Sequence, residues 1–242
     1  FDRKAARDHT SDGIIAHELA HMWFGDLLTC RDWSHGWLNE GFATYAELLW
    51  KEHHEGVDEY RQGVIDETKA YLDERYRRPI VTNVYNEPID IFDRHLYEKG
   101  GLVLHTLRGV LGDDAFFRAI QRYVRDNQDR NVVTQDLVDA IEAETGRNLE
   151  WFFDQWVYRP GHPKLTASWS WDGQANTATV KIKQTQDDEG GTNVFRLPLV
   201  IDFRSGDGKP AAFNVEITER EQSFVFPLDE SPDLCRVDPY NR

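Results

Sequence analysis

The stretch HELAHMWFGDLLTCRDWSHGWLNEGFATYAELL, residues 17–49, decides how the rest of the chain is read. It opens with two histidines four positions apart, and a glutamate follows the first. On a helix such positions share a face, so His17 and His21 point the same way and can grip one metal ion. In this arrangement Glu18 serves as general base rather than ligand. Taken alone, the five residues also fit a half-buried helix with hydrogen-bonded histidines. A third ligand separates the two readings, because catalytic zinc takes three protein ligands and leaves one position open for water. Eighteen residues separate His21 from Glu40. Glu40 stands among Trp37, Leu38 and Phe42 on the next helical stretch, where a carboxylate is costly unless paired or bound to metal. Glu47, seven residues on and on the same face, can hydrogen-bond a ligand histidine; a solvated helix carboxylate is the equal alternative.

Working outward, the periodicity predicts helices as far as position 160. Thr10, Ser11 and Asp12 are N-cap candidates for the first, with Gly25 as its stop. A second runs from His35 to His54, with Trp37, Phe42, Tyr45, Leu48 and Leu49 as its apolar stripe. Further helical stretches cover 56–76, 96–112, 113–127, 134–146 and 148–158, several with an acidic or hydroxyl start. At RPGHPK, 159–164, Pro160, Gly161 and Pro163 end the helical pattern. Period-two alternation follows in LTASWSWD, TATVKIKQTQ, FRLPLVIDF, AAFNVEIT and QSFVFPL. DDEGG and SGDGK read as hairpin turns. Five to seven short strands suggest a small antiparallel β-sandwich. The expected fold class is α+β, with a mostly helical domain at 1–160 and a sandwich at 161–242. Trp169 and Trp171, on the first strand, read as core and interdomain packing ahead of a carbohydrate surface.

The net charge of −15 argues against nucleic acid and against an anionic membrane surface as partners. No apolar run reaches the length of a membrane span, and FDRKAARDHT has no apolar signal core. Cys30 and Cys235 read as two free thiols. The compartment stays open, with a soluble cytoplasmic protein favoured over a secreted one. Met22 is the only methionine, so a processed product or a fragment is expected. His53, His54, His95, His105 and His162 read as solvated, packed or turn residues rather than ligands.

Four segments together carry a resemblance. HELAH with eighteen residues to WLNEGFA, YEKGGLVLHTLR at 97–108, and FFDQWVYRPGHPKL at 152–165 resemble the gluzincin aminopeptidases, the family of aminopeptidase N and leukotriene hydrolase. The resemblance implies a thermolysin-like catalytic domain, here its helical part, followed by the family's β-sandwich. It implies one zinc ion held by His17, His21 and Glu40, and peptide substrates that lose their N-terminal residue. Glu18 would activate the water and pass its proton to the leaving amine. Tyr97 would donate to the oxyanion; without the resemblance it reads as a packed tyrosine.

The chain departs from the family at one place. The family's Gly-x-Met-Glu-Asn segment, which holds the substrate amine, has no match in the sixteen residues before His17. The expectation is therefore a fragment that binds zinc and hydrolyses peptides poorly. The alternative is a weak or inactive peptidase-like scaffold for protein binding; zinc-dependent epoxide hydrolysis and a thermolysin-like endopeptidase are further readings. Apolar surface left without its upstream partner would favour self-association.

Overall fold

The computed structural model describes residues 11–187, 191–206 and 208–241. The chain divides into two compact units, one up to Pro160 and one from Gly161. Their composition, helical then β, is an α+β mixture.

The first unit begins with α1 (Asp12–Ala20), with Ser11 at its N-cap and Asp12 in its first turn. Thr10, a cap candidate, lies outside the described residues. The helix stops at Ala20 rather than Gly25. Gly25 has a φ of +143°, which an L side chain rarely adopts, and this turns the chain before it enters strand β1 (Leu28–Cys30). The apolar Met22–Phe24 run continues the helical pattern in sequence, but Met22 and Trp23 lie in turns and Phe24 forms a β-bridge with Leu28. A 3₁₀ turn at Trp33–His35, started by Asp32 accepting from the Ser34 N–H at 3.1 Å, replaces the expected first turn of the next helix. That helix, α2 (Trp37–His54), buries Trp37, Phe42, Tyr45 and Leu48 and leaves Leu49 partly exposed.

Helices α3 (Val57–Leu72), α4 (Glu98–Leu111), α5 (Asp113–Asn127) and α6 (Thr134–Thr145) follow. Gly112 and Gly146 end α4 and α6 with positive φ, the usual exit from a helix. The last helical stretch is split into α7 (Glu150–Phe153) and a π-helical turn, Asp154–Tyr158. β1 pairs in parallel with β2 (Arg130–Val132). Neither three-residue strand was expected, since so short a run shows no alternation. Phe42 stacks between Phe24 at 4.2 Å and Tyr123 at 6.0 Å. Burying each such ring stabilises the unit by roughly 1.5–3 kcal/mol.

The second unit, among the described residues, holds six strands in two antiparallel sheets. They are β3 (Leu165–Asp172), β4 (Thr177–Gln184) and β7 (Glu221–Pro227) in the order β3-β4-β7, and β5 (Leu197–Arg204), β6 (Ala211–Ile217) and β8 (Leu234–Val237) in the order β6-β5-β8. Phe226 packs on Phe203 at 5.4 Å and on Phe213 at 4.7 Å, which brings the two sheets face to face. SGDGK, of which residue 207 is outside the described set, joins the paired strands β5 and β6. DDEGG, expected as a hairpin turn, lies largely outside the described residues. Its residues 188–190 are not described, and the segment joins β4 to β5, which lie in different sheets. Strand β8 was not expected; its Arg236 Nε donates to the buried Asp202 at 2.8 Å. Trp169 pairs with Val180 in register, yet it is 40 % exposed while Val180 is fully buried. Within this unit the opposing sheet does not reach over β3, so Trp169 is not a core residue of the sandwich. Both cysteines are free thiols.

Candidate metal centre

α1 and α2 carry the three proposed ligands. His17 and His21, one turn apart on α1, present Nε2 to the same carboxylate oxygen of Glu40, at 3.4 Å and 3.2 Å. The three ligand atoms lie within 4.8 Å of one another, and among the described residues this is the one such group of three. Glu40 sits in the first turn of α2, where the helix dipole favours a carboxylate.

Each imidazole is held by its other nitrogen. The His17 Nδ1–H donates to Glu47 Oε1 at 2.8 Å, and the His21 Nδ1–H donates to the Phe24 carbonyl at 2.9 Å. These acceptors select the tautomer that leaves both Nε2 lone pairs for a metal. Two imidazole nitrogens and one carboxylate form the donor set of a catalytic zinc site, so the residues present fit that ion. The turn at Gly25 aims the Phe24 carbonyl, and a side chain at Gly25 would stand 3.2 Å from His21 Nδ1.

His17 is 7 % exposed and wedged between the carboxylates of Glu40 and Glu47. Burial acts to lower its pKa, but the hydrogen bonds and charges of Glu40 and Glu47 outweigh this and push it up to about 9. Tyr97 forms the N-cap of α4, and its ring stacks on His17 with centroids 6.2 Å apart. Burial, then the charges of Glu40 and Glu18, push its hydroxyl up to about 12. It therefore stays protonated and able to donate near neutral pH. Glu18, the proposed base, is exposed on α1 between the two histidines in sequence.

The loop leading to Tyr97 is clamped by a residue pair that sequence reasoning missed. The Arg78 guanidinium grips Asp93 through Nε at 2.9 Å and Nη2 at 2.6 Å, and donates to the carbonyls of Pro79, Ile80 and Ile91. Asp93 also accepts from the backbone N–H of His95 and Leu96. Although burial opposes it, the bonds from His95, Arg78 and Tyr76 hold the Asp93 carboxyl well below the usual range. The other histidines among the described residues lie outside the cluster. His95 is buried beside Asp93, His105 bonds Tyr60 at 2.6 Å, and His53 and His54 sit at the end of α2.

Residues 2–156 match the Peptidase family M1 domain. The chain belongs to peptidase family M1. Among M1 relatives, Aminopeptidase M1 of Arabidopsis thaliana is 34 % identical over 162 residues, covering 64 % of this chain and 18 % of that protein. The Tricorn protease-interacting factor F2 of Thermoplasma volcanium is 30 % identical over 201 residues, covering 79 % of this chain and 25 % of that protein. An M1 zinc metallopeptidase from Deinococcus radiodurans superposes with a TM-score of 0.55 at 36 % identity, over 62 % of this chain and 33 % of that one. Legionella pneumophila aminopeptidase A matches the fold over 91 % of this chain and 25 % of that one, with a TM-score of 0.75 at 22 % identity. The chain thus spans a quarter or less of the length of these two curated relatives.

Proposed function

We propose that this M1 chain carries the metal centre of a zinc aminopeptidase acting on peptides. In this reading residues 1–160 are the helical part of a thermolysin-like catalytic domain, and 161–242 are its β-sandwich. His17, His21 and Glu40 hold one zinc ion, and Glu47 and the Phe24 carbonyl orient the two imidazoles. Zinc, when bound, supplies a Lewis acid and lowers the pKa of a coordinated water to about 7. Glu18 takes a proton from the attacking water and returns it to the leaving amine. The Tyr97 hydroxyl donates to the substrate carbonyl oxygen as negative charge builds there, and removing one such donor typically lowers the rate by about 10²–10³.

The observation that carries the reading is the convergence of His17 Nε2, His21 Nε2 and one Glu40 oxygen, with both Nδ1 atoms already occupied by acceptors. The names of the M1 relatives supply the aminopeptidase direction. The 242 residues contain no Gly-x-Met-Glu-Asn sequence, so a substrate with a free α-amine and the same substrate blocked are the informative pair. The test is hydrolysis of fluorogenic aminoacyl amides by the zinc-loaded chain. Cleavage of the free-amine substrate alone supports a self-sufficient aminopeptidase. Stoichiometric zinc with no cleavage supports a metal centre that needs further sequence for the amine. Failure to bind zinc overturns the reading.

The same reading includes self-association. Ile14, Ile15, Leu19, Met22 and Trp23, in α1 and the turn after it, are exposed apolar side chains close together in sequence. A single monodisperse monomer in light scattering would count against it. No helix of the described residues is long and apolar enough to cross a membrane.

A further inference from the structure

Helices α2 and α4 meet glycine to glycine at Gly41 and Gly100. A β-carbon on Gly41 would stand 3.0 Å from both Cα and the carbonyl carbon of Gly100, and one on Gly100 would stand 3.0 Å from Cα of Gly41. The obstacle on each side is backbone, which cannot rotate away. At the next residue, a β-carbon on Gly101 would meet Thr44 Cγ2 at 3.2 Å. Carbon atoms pack best at about 3.5–4.0 Å, so one added methyl at this crossing pushes the helices apart by about 0.5–1 Å.

The crossing lies between two parts of the candidate site. Glu40 is the residue before Gly41. Tyr97 is three residues before Gly100, at the N-cap of the same helix. We propose that the Gly41–Gly100 contact is the spacer that sets the distance between the metal centre and the Tyr97 hydroxyl, which makes both glycines positioning residues. The proposal rests on the reading of His17, His21 and Glu40 as ligands and of Tyr97 as donor. All three ligands are on α1 and α2, whereas Tyr97 enters with α4. A shift at Gly100 is carried to Tyr97 within one helical turn and leaves the ligand set alone. A donor acts on a developing oxyanion only within about 2.7–3.1 Å, so 0.5–1 Å is enough to disengage it. Metal retention and transition-state binding should therefore separate at this crossing.

The test uses the full chain, loaded with zinc, as Gly100→Ala, Tyr97→Phe and the double variant. Zinc affinity is read by competition with a chromogenic chelator. Binding of a phosphinic peptide analogue of the tetrahedral state is read by calorimetry. Gly100→Ala should hold zinc within about twofold of the parent and bind the analogue about 10–100-fold more weakly, in line with the sensitivity of oriented groups to ångström displacements. In the Tyr97→Phe background Gly100→Ala should add nothing. Parent-like analogue binding by Gly100→Ala, or losses that multiply in the double variant, would overturn the spacer while leaving Tyr97 in its role. If Tyr97→Phe alone binds like the parent, the reading of Tyr97 fails and the spacer falls with it. Should Gly100→Ala not unfold cooperatively, Gly41→Ala carries the same expectation, because its β-carbon enters the same contact from the other helix. Gly63→Ala is the control. Its β-carbon would meet Leu48 Cδ2 at 2.7 Å between α3 and α2, so it should lower stability and leave analogue binding unchanged. An equal loss of analogue binding there would overturn the proposal by showing a general disturbance.

Discussion

Helix α1 and the pair α2–α4 both serve the candidate site, but they are held in different ways. α2 buries eight residues, among them Trp37, Phe42 and Leu48, and meets α4 backbone to backbone. α1 buries only His17 and Ala20. Its Ile14, Ile15 and Leu19 face outward. Among the described residues, α1 is tied to α2 through the site itself, with His17 between Glu40 and Glu47 and His21 against Glu40, and through the Phe24–Phe42 stack just beyond the helix end. One region is fixed by apolar packing and the other by polar groups that converge on one point. The lesson is that a metal would act as a structural clasp for α1 and would be nearly irrelevant to α2–α4.

Removing a ligand tests this most severely. Glu40→Ala should abolish measurable zinc binding. In hydrogen exchange, zinc should slow the α1 amides of the parent and have no such effect in the variant, since ligand binding stabilises only the state that binds. Equal slowing in α4 would break the contrast. Next in size, Trp37→Ala should cost about 3–5 kcal/mol in urea unfolding, as expected for a fully buried aromatic. Leu19→Ala, at a side chain that is 54 % exposed, should stay within about 0.5 kcal/mol. Comparable losses would mean that α1 is packed like the rest.

Glu47→Gln sharpens the comparison further. It leaves all three ligands in place but weakens the hold on His17 Nδ1, so zinc affinity should fall about 10–100-fold in chelator competition. The smallest effect is a pH dependence of opposite sign with and without metal. In the metal-free chain the His17 pKa is raised from 6.5 to about 9. Its contribution to stability is then fully present below about 6.5 and lost as pH rises through 9. Zinc competes with that proton, so its affinity should rise over the same interval. Melting curves with zinc and with chelator, from pH 6 to 9.5 (on the order of the interval set by the two pKa values), should therefore draw apart as pH rises. Parallel curves would argue that His17 is not the group being exchanged.

Much of this architecture was legible because local signals agreed with the global fold. DDAFFRAIQRYVRDN starts after Gly112 with two acids and is helical from first to last residue, and LTASWSWD is a strand along its whole length. Other elements escaped for physical reasons. The β1–β2 pair and β8 are too short to display a period. The end of α1 depends on one glycine torsion, while the surrounding apolar residues continue the helical pattern. The spacing of His17, His21 and Glu40 was visible because side-chain identity carries it, and the structure brings these three atoms together. The Phe24 carbonyl was not visible, because a backbone acceptor leaves no mark on residue type. The Arg78–Asp93 clamp joins residues in an irregular segment where no periodicity points inward.

The unlike supports of the two histidines have a consequence for mutational robustness. His17 leans on a side chain, so a single codon change at Glu47 can remove its support. His21 leans on a main-chain oxygen that every amino acid possesses, so no substitution at Phe24 deletes the acceptor itself. Its vulnerability is displaced to Gly25, where any side chain disturbs the turn. A scan of all single replacements should therefore find position 47 selective for carboxylates, position 24 selective only for ring packing, and position 25 intolerant of everything. The genetic fragility of the second histidine would then be recorded at a residue that touches no metal.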